Sequence, residues 1–345
     1  MTMEQRKFRA AIIGCGGISQ VHIAALQGMN NVEIAAVCDI REDRLAKAVE
    51  KTGAKGYADW HEVVALKDID VVHICLPHYL HAPVAIEALG LGRNVITEKP
   101  MATTIEDARA MIAASEKEGA GMLGVIFQNR YISSVQHAKK IIDSGEYGAF
   151  KGMSASVCWL REGAYYSESG WRGVKATEGA GSLINQSIHT LDLLSYLGGP
   201  IQKVRGSVFT GLNAGTIEVE DNAMAVALYE GGQRALIHTS NNNVADDPIE
   251  VNIHLEKGAL KLYGPKLYKI EDGELKLIDA GDNKTVVGKS VWGIGHSAQL
   301  EDYYACLAEG KHFWIDGRSG FPALSLVLSI VRSSEEGGWV ELYKA

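Results

Sequence analysis

A short apolar strand that runs directly into a glycine-rich turn and then a helix is what most restricts the fold of this chain. Phe8-Arg9-Ala10-Ala11-Ile12-Ile13 leads into Gly14-Cys15-Gly16-Gly17-Ile18-Ser19, and helical spacing continues with Ile18, Val21, Ala25 and Leu26 on one face. Gly14 permits the tight turn, and Gly16 lets the backbone approach a pyrophosphate at the helix N-terminus. Ser19 takes the third fingerprint position and is small enough for close helix–strand packing. The competing reading is a plain strand–helix turn. The later strands and their ends decide between the two.

The second strand, Val32 to Cys38, ends in Asp39, where a dinucleotide-binding unit reads the adenosine ribose 2′-hydroxyl. That carboxylate would repel a 2′-phosphate, so NAD is favoured over NADP. Arg41 and Arg44 follow closely and either soften that preference or lie on a solvated helix face. Asp70 to Pro77 is nearly all apolar, as a strand buried on both faces should be. His78 and His81 come next, one turn apart, and either line a cofactor cleft or cap the helix running through Leu89. No third ligand stands at a suitable spacing, so no metal site is expected.

Asn94-Val95-Ile96-Thr97 reads as a further buried strand that Glu98-Lys99-Pro100 stops abruptly. Ligands bind at the carboxyl ends of strands in open α/β sheets, and a lysine desolvated there suits acid/base chemistry. A solvated Glu98–Lys99 ion pair capping the strand is the alternative. A helix from about Ile105 to Glu118 and a strand Met122 to Phe127 complete the alternation, and Gln128-Asn129-Arg130-Tyr131 leaves the sheet. This gives a Rossmann-type doubly wound parallel sheet over residues 1–128.

Beyond about residue 147 the period changes to two. Strands are expected at Gly148–Leu160, Ile201–Thr210, Asn222–Tyr229, Gln233–Ser240 and Ile249–Leu255, with turns at Glu230-Gly231-Gly232 and Glu256-Lys257-Gly258. Helices near Ser182–Leu197, His296–Ala308 and Phe321–Glu336 would cover one face. Residues 129–345 therefore read as an α/β substrate and oligomerisation domain with a mainly antiparallel open sheet. The length of 345 residues accommodates both domains at roughly 100–200 residues each.

A net charge of −8, with no basic patch, argues against nucleic acid as a partner. No apolar run approaches the roughly 20 residues of a membrane span, and the polar start lacks a signal-peptide core. The five cysteines, Cys15, Cys38, Cys75, Cys158 and Cys306, have no metal-ligand spacing and read as small packing residues. A reducing, cytoplasmic setting is expected.

Four motifs in order make the chain resemble the glucose–fructose oxidoreductase / inositol dehydrogenase / rhizopine-catabolism family of NAD(P)-dependent sugar oxidoreductases. They are Gly14-x-Gly16-Gly17-x-Ser19, Glu98-Lys99-Pro100, Trp171-Arg172-Gly173, and Gly179-Ala180-Gly181-x-Leu183-x-Asn185-x-x-x-His189-x-x-Asp192. His296-x-x-Gln299-x-x-Asp302-Tyr303 and Phe321-Pro322-Ala323-Leu324 resemble its closing segment, so the likeness covers essentially the whole chain. The resemblance implies bound NAD, a small-molecule sugar or cyclitol substrate, and a homodimer or homotetramer. It makes Lys99 and His189 the catalytic pair. The cofactor-facing set becomes Gly14, Gly16, Gly17, Ile18, Asp39, Leu76, Pro77, His78, His81, Glu98, Lys99 and Gln128, with Trp171 and Arg172 at the nicotinamide end.

Asn185 stands where many relatives carry an aspartate. An amide can hydrogen-bond but cannot take a proton, so the acid/base role falls on His189 or Lys99 and Asn185 becomes a binder of substrate hydroxyl. On one continuous helix, residues 185, 189 and 192 share a face, which would let Asp192 orient the imidazole. Arg130, Tyr165, Tyr166 and His296 are candidates for the sugar pocket, with Gln128 beside them; the two tyrosines read equally well as packing residues. The expected reaction moves a hydride from a secondary hydroxyl to the nicotinamide. A glycosidase that oxidises its substrate transiently and a non-catalytic cofactor sensor are the alternatives.

Overall fold

The computed structural model describes residues 7–281 and 295–345. They fall into two compact units, and residues 295–320 belong with the first although a linear division puts them beyond Gln128. The reason is visible in the hydrogen bonds. Val125 N donates to Ile315 O at 2.9 Å, Tyr303 Oη donates to Val95 O at 3.0 Å, and the Gln299 amide accepts from Phe127 N and donates to Val125 O. The late helix His296–Glu309 thus supplies polar partners that the end of a small sheet requires.

The first unit holds a six-stranded parallel sheet. Its strands are β1 (Phe8–Ile13), β2 (Val32–Cys38), β3 (Lys55–Tyr57), β4 (Val71–Ile74), β5 (Asn94–Thr97) and β6 (Leu123–Val125). Their order is β3-β2-β1-β4-β5-β6, so the chain reverses direction across the sheet between β1 and β4. Ile13 pairs with Ile74, which brings the turn after β1 and the turn after β4 together at that reversal. All four residues of β4 are buried, His73 among them. The apolar run that marks this strand is therefore broken by a histidine with a use inside the protein.

The second unit holds a nine-stranded sheet: β7 (Phe150–Cys158), β8 (Ile201–Phe209), β9 (Asn222–Tyr229), β10 (Arg234–Ser240), β11 (Glu250–Leu255), β12 (Gly258–Tyr263), β13 (Lys266–Glu271), β14 (Glu274–Asp279) and β15 (Val340–Glu341). The order is β14-β13-β12-β11-β7-β10-β9-β8-β15, and every pairing is antiparallel except β7 with β10. Strands β12 to β14 extend the sheet beyond the five strands expected from alternation. Lysines alternate with their apolar residues, and the Asp272-Gly273 turn between β13 and β14 has both φ angles positive, at 51° and 80°, as a type I′ hairpin requires.

The expected single helix over 182–197 is two. Ser182–Asn185 and Ile188–Gly198 are separated at Gln186-Ser187. Ser182 O accepts from both Gln186 N (3.2 Å) and Ser187 N (3.0 Å), and the second of these bonds is a step wider than the α-helical one. The break re-aims Asn185 relative to His189. No helix among the described residues is long and apolar enough to cross a membrane.

Candidate active site

In the first unit the turn after β1 is shaped by contact and by openness. Gly14 has φ +94°, and a Cβ there would lie 2.4 Å from Cys75 O, so only glycine fits. A Cβ on Gly17 would meet nothing within 4 Å, and one on Gly16 would meet only the end of Arg44 at 3.9 Å. Glycine at 16 and 17 is therefore not explained by neighbouring protein atoms; bare backbone amides facing open space suit a pyrophosphate. Ser19 Oγ donates to Gly16 O at 2.6 Å and holds the turn, with Ile18 between them. Asp39 ends β2 and is itself braced, accepting from Cys15 N and Arg41 N, each at 2.8 Å. Arg41 pairs with Asp43 on the surface. These residues fit the adenosine end of NAD.

Leu76 and Pro77 are half-buried after β4, and His78 is buried in the short 3₁₀ turn that comes next. His81, offered as a cleft-lining residue, has a different job. Its ring is fully buried, with Nδ1 2.7 Å from Pro100 O and Nε2 2.8 Å from Leu76 O. It ties the turn after β4 to the turn after β5. Burial pushes the Cys15 and Cys38 thiols up to about 12, which makes them neutral packing groups, as expected.

Glu98 closes β5 and is buried, so a solvated ion pair with Lys99 is ruled out for its carboxylate. Oε1 accepts from His22 Nε2 at 3.2 Å and from His296 Nε2 at 3.1 Å, and Oε2 accepts from Lys99 N at 3.2 Å. Burial alone would raise this carboxyl, but the two histidine donors overcome it and hold Glu98 well below the ordinary carboxylate range. His296, expected in the sugar pocket, is thus a buried partner of Glu98. Lys99 is next in the chain, half-buried, at the carboxyl end of the sheet.

His22 connects further. Its Nδ1 lies 2.9 Å from His73 Nδ1, and His73 Nε2 lies 2.8 Å from Tyr304 Oη. Burial lowers both histidines, well below the ordinary value for His73, and raises Tyr304. With neutral rings and a carboxylate at the end, only one arrangement of protons satisfies every pair. Tyr304 O–H donates to His73 Nε2, His73 Nδ1–H to His22 Nδ1, and His22 Nε2–H to Glu98. His22, Glu98 and His296 also form the grouping of metal-type ligands found among the described residues. Their spacing is met by these hydrogen bonds.

In the second unit, Asn185 Nδ2 donates to Glu178 Oε1 at 2.6 Å, and Gly173 N donates to Glu178 Oε2 at 2.5 Å. The Glu220 carboxylate accepts from Gly181 N and Leu183 N at the start of the helix Ser182–Asn185. Gly181 is required because a Cβ there would lie 1.9 Å from Glu220 O. Gly181 thus lets the chain pass closely against the Glu220 backbone, and the buried carboxylates of Glu178 and Glu220 are ones the sequence does not single out. His189 is buried in the first turn of the helix Ile188–Gly198. Asp192 does not orient it: both carboxylate oxygens are held by Arg130, from Nε at 2.7 Å and Nη2 at 2.5 Å. Arg130, a sugar-pocket candidate, is a buried member of that ion pair.

Tyr165, Trp171 and Arg172 form a stack, with the Arg172 guanidinium 4.4 Å from the Tyr165 ring centre and 4.9 Å from that of Trp171. Gln186 Nε2 donates to Tyr165 Oη at 2.9 Å, while Asn241 Nδ2 bonds both Gln186 Oε1 and the hydroxyl of the buried Tyr166 at 3.0 Å. Tyr166 is a packing residue and Tyr165 stays half-buried at the edge of the cluster. Gln128 is buried in the first unit.

Residues 8–127 match the model of an oxidoreductase family with an NAD-binding Rossmann fold, and residues 135–261 match the GFO/IDH/MocA C-terminal domain. The chain belongs to this family, and its first unit is an NAD-binding Rossmann domain. The WlbA dehydrogenase of Bordetella pertussis, solved with NADH and UDP-GlcNAcA, is 30% identical, with 99% of each chain covered and a TM-score of 0.87. The D-glucoside 3-dehydrogenase of Escherichia coli is 28% identical over 99% of each chain. Inositol 2-dehydrogenase of Salmonella typhimurium is 39% identical over 143 residues, but that match spans only 41% of this chain and 43% of that protein.

Proposed function

We propose that this chain is an NAD-dependent dehydrogenase acting on a secondary hydroxyl of a sugar, sugar derivative or cyclitol. The observation that carries the reading is Lys99, set at the carboxyl end of a dinucleotide-binding sheet beside a buried Glu98 held as an anion. NAD, when bound, supplies the hydride acceptor. Lys99 as an ammonium stabilises alkoxide charge as it develops, and His189 or Lys99 takes the hydroxyl proton. Asn185 hydrogen-bonds a substrate hydroxyl, and Trp171 and Arg172 serve the nicotinamide end of the cofactor.

The finer reading is oxidation at C3 of a hexose ring, which the D-glucoside 3-dehydrogenase likeness supports across nearly the whole chain. NADH formation should be followed with D-glucosides, free hexoses, UDP-GlcNAcA and inositols, and the product carbonyl located by NMR. A 3-keto product from one class is expected. Bound NAD with no NADH across the panel would contradict the dehydrogenase. Self-association through the open sheet is part of the same proposal: Phe209, Met224 and Leu236 are 48%, 55% and 56% exposed on β8 to β10. Light scattering should give a dimer or tetramer, and Met224→Lys with Leu236→Lys a monomer.

A further inference from the structure

In the second unit, hydrogen-bond donors gather around Tyr165 without matching acceptors. The Arg172 guanidinium lies 4.4 Å from the Tyr165 ring centre, and that of Arg161 lies 5.5 Å from it. Among the described residues Arg172 forms no ion pair, and its buried Nε has no acceptor. Glu178 attracts Arg172 through space, but its oxygens take the Gly173 N–H and the Asn185 amide. Arg161 is 8% exposed, yet among the described residues only its Nη1 is bonded, to Leu160 O at 2.5 Å and Asp246 Oδ1 at 2.8 Å. The tyrosine hydroxyl is a third donor. Asn241 Nδ2 donates to Gln186 Oε1, which turns the Gln186 NH₂ toward Tyr165 Oη. The phenolic oxygen therefore accepts from Gln186, and its own O–H donates to no described residue. Burial raises Tyr165, so that proton stays in place at neutral pH.

Buried donors without acceptors mark a place for a ligand, and two guanidiniums on one ring favour a negative one. A sugar hydroxyl brings a proton of its own, whereas a carboxylate or phosphate accepts at every oxygen. We propose that Arg161, Tyr165 and Arg172 form a subsite for an anionic group carried by the sugar, a carboxylate or a phosphate ester. That the anion belongs to a substrate rests on the dehydrogenase reading; the anion subsite does not. An arginine has five N–H donors, so a bond from Arg172 to the cofactor and one to the anion are compatible. Gln186 links the subsite to the motif, because it follows Asn185 in the chain and holds Tyr165.

The test measures binding by calorimetry to the whole chain with NADH present, comparing D-glucose with D-glucuronate and D-glucose 6-phosphate, and D-galactose with D-galacturonate. At least one acid should bind about 10- to 100-fold tighter than its neutral counterpart, the worth of charged hydrogen bonds. Which acid gains distinguishes a carboxylate subsite from a phosphate one. Arg161→Met should bring the ratio of acid to neutral affinity close to one. Because that guanidinium also holds Leu160 O and Asp246, Tyr165→Phe is made beside it. It keeps both arginines, removes one donor, and should lower the ratio about three- to tenfold. No acid bound more tightly than its neutral counterpart, or a wild-type ratio in both variants, overturns the proposal. NADH formed from neutral sugars without such a preference overturns it too and leaves the dehydrogenase reading standing. Preferred binding of an acid with no NADH from any sugar supports the subsite and removes the dehydrogenase reading alone.

Discussion

His22 Nε2 donates to Glu98 Oε1 across 3.2 Å of protein interior, while its Nδ1 accepts from His73 at 2.9 Å. The ring is thus the link through which Tyr304 and His73 support a buried anion next to Lys99. Glu98 is depressed well below 4.5, so its contribution to stability is full above that value and lost as pH falls through the folded value. His22→Ala removes one of two side-chain donors to a buried charge. A loss of about 2–3 kcal/mol in urea unfolding at neutral pH is expected, with acid unfolding beginning at a higher pH than in wild type.

Glu178 has the opposite sign. Its folded value is raised from 4.5 to about 7, so between those values the native state holds a proton the unfolded chain has released. Stability declines as pH rises across that interval and the full cost is present above it. Glu178→Gln should therefore stabilise the protein at about pH 8 by up to about 3 kcal/mol, and should give no such gain below about pH 4.5. Thermal midpoints of both proteins across pH check this directly.

The two glycines of the first turn should separate structure from binding. Gly14→Ala adds a Cβ 2.4 Å from Cys75 O at a φ of +94°, so the variant should fold poorly. Gly17→Ala meets no protein atom within 4 Å and should keep wild-type stability to within about 0.5 kcal/mol. Its affinity for NADH, measured by calorimetry, should nonetheless fall, because a methyl group enters the space assigned to pyrophosphate.

Arg130 and Asp192 form a bidentate pair with side chains 6% and 1% exposed. Either Arg130→Met or Asp192→Leu alone leaves a buried charge, at a cost of about 3–5 kcal/mol. The double variant should cost less than either single change in chemical unfolding, because no charge is left behind.

Whatever depends on local pattern is legible in the sequence. The strand–glycine–helix start, Asp39 at the end of β2 and the abrupt stop at Glu98-Lys99-Pro100 are each written in a few adjacent residues. The antiparallel character of the second sheet is equally plain from period-two alternation. The partners of Glu98 are not, because His22, His73, His296 and Tyr304 come from distant segments and meet only when the sheet and the late helix assemble. Helical spacing puts Asp192 beside His189 on the helix Ile188–Gly198, but Arg130 claims the carboxylate, and the wide turn at Gln186-Ser187 takes Asn185 out of their register. Glu178 adjoins a recognised motif yet reads as loop, since nothing in its neighbours announces burial.

The most direct test of the central claim compares wild type with Lys99→Met, measuring NADH formation from the best sugar of the panel and NADH binding in parallel. Loss of the ammonium should lower kcat by about 10²- to 10⁴-fold while NADH still binds. A Lys99→Met protein that forms NADH at the wild-type rate would contradict the account.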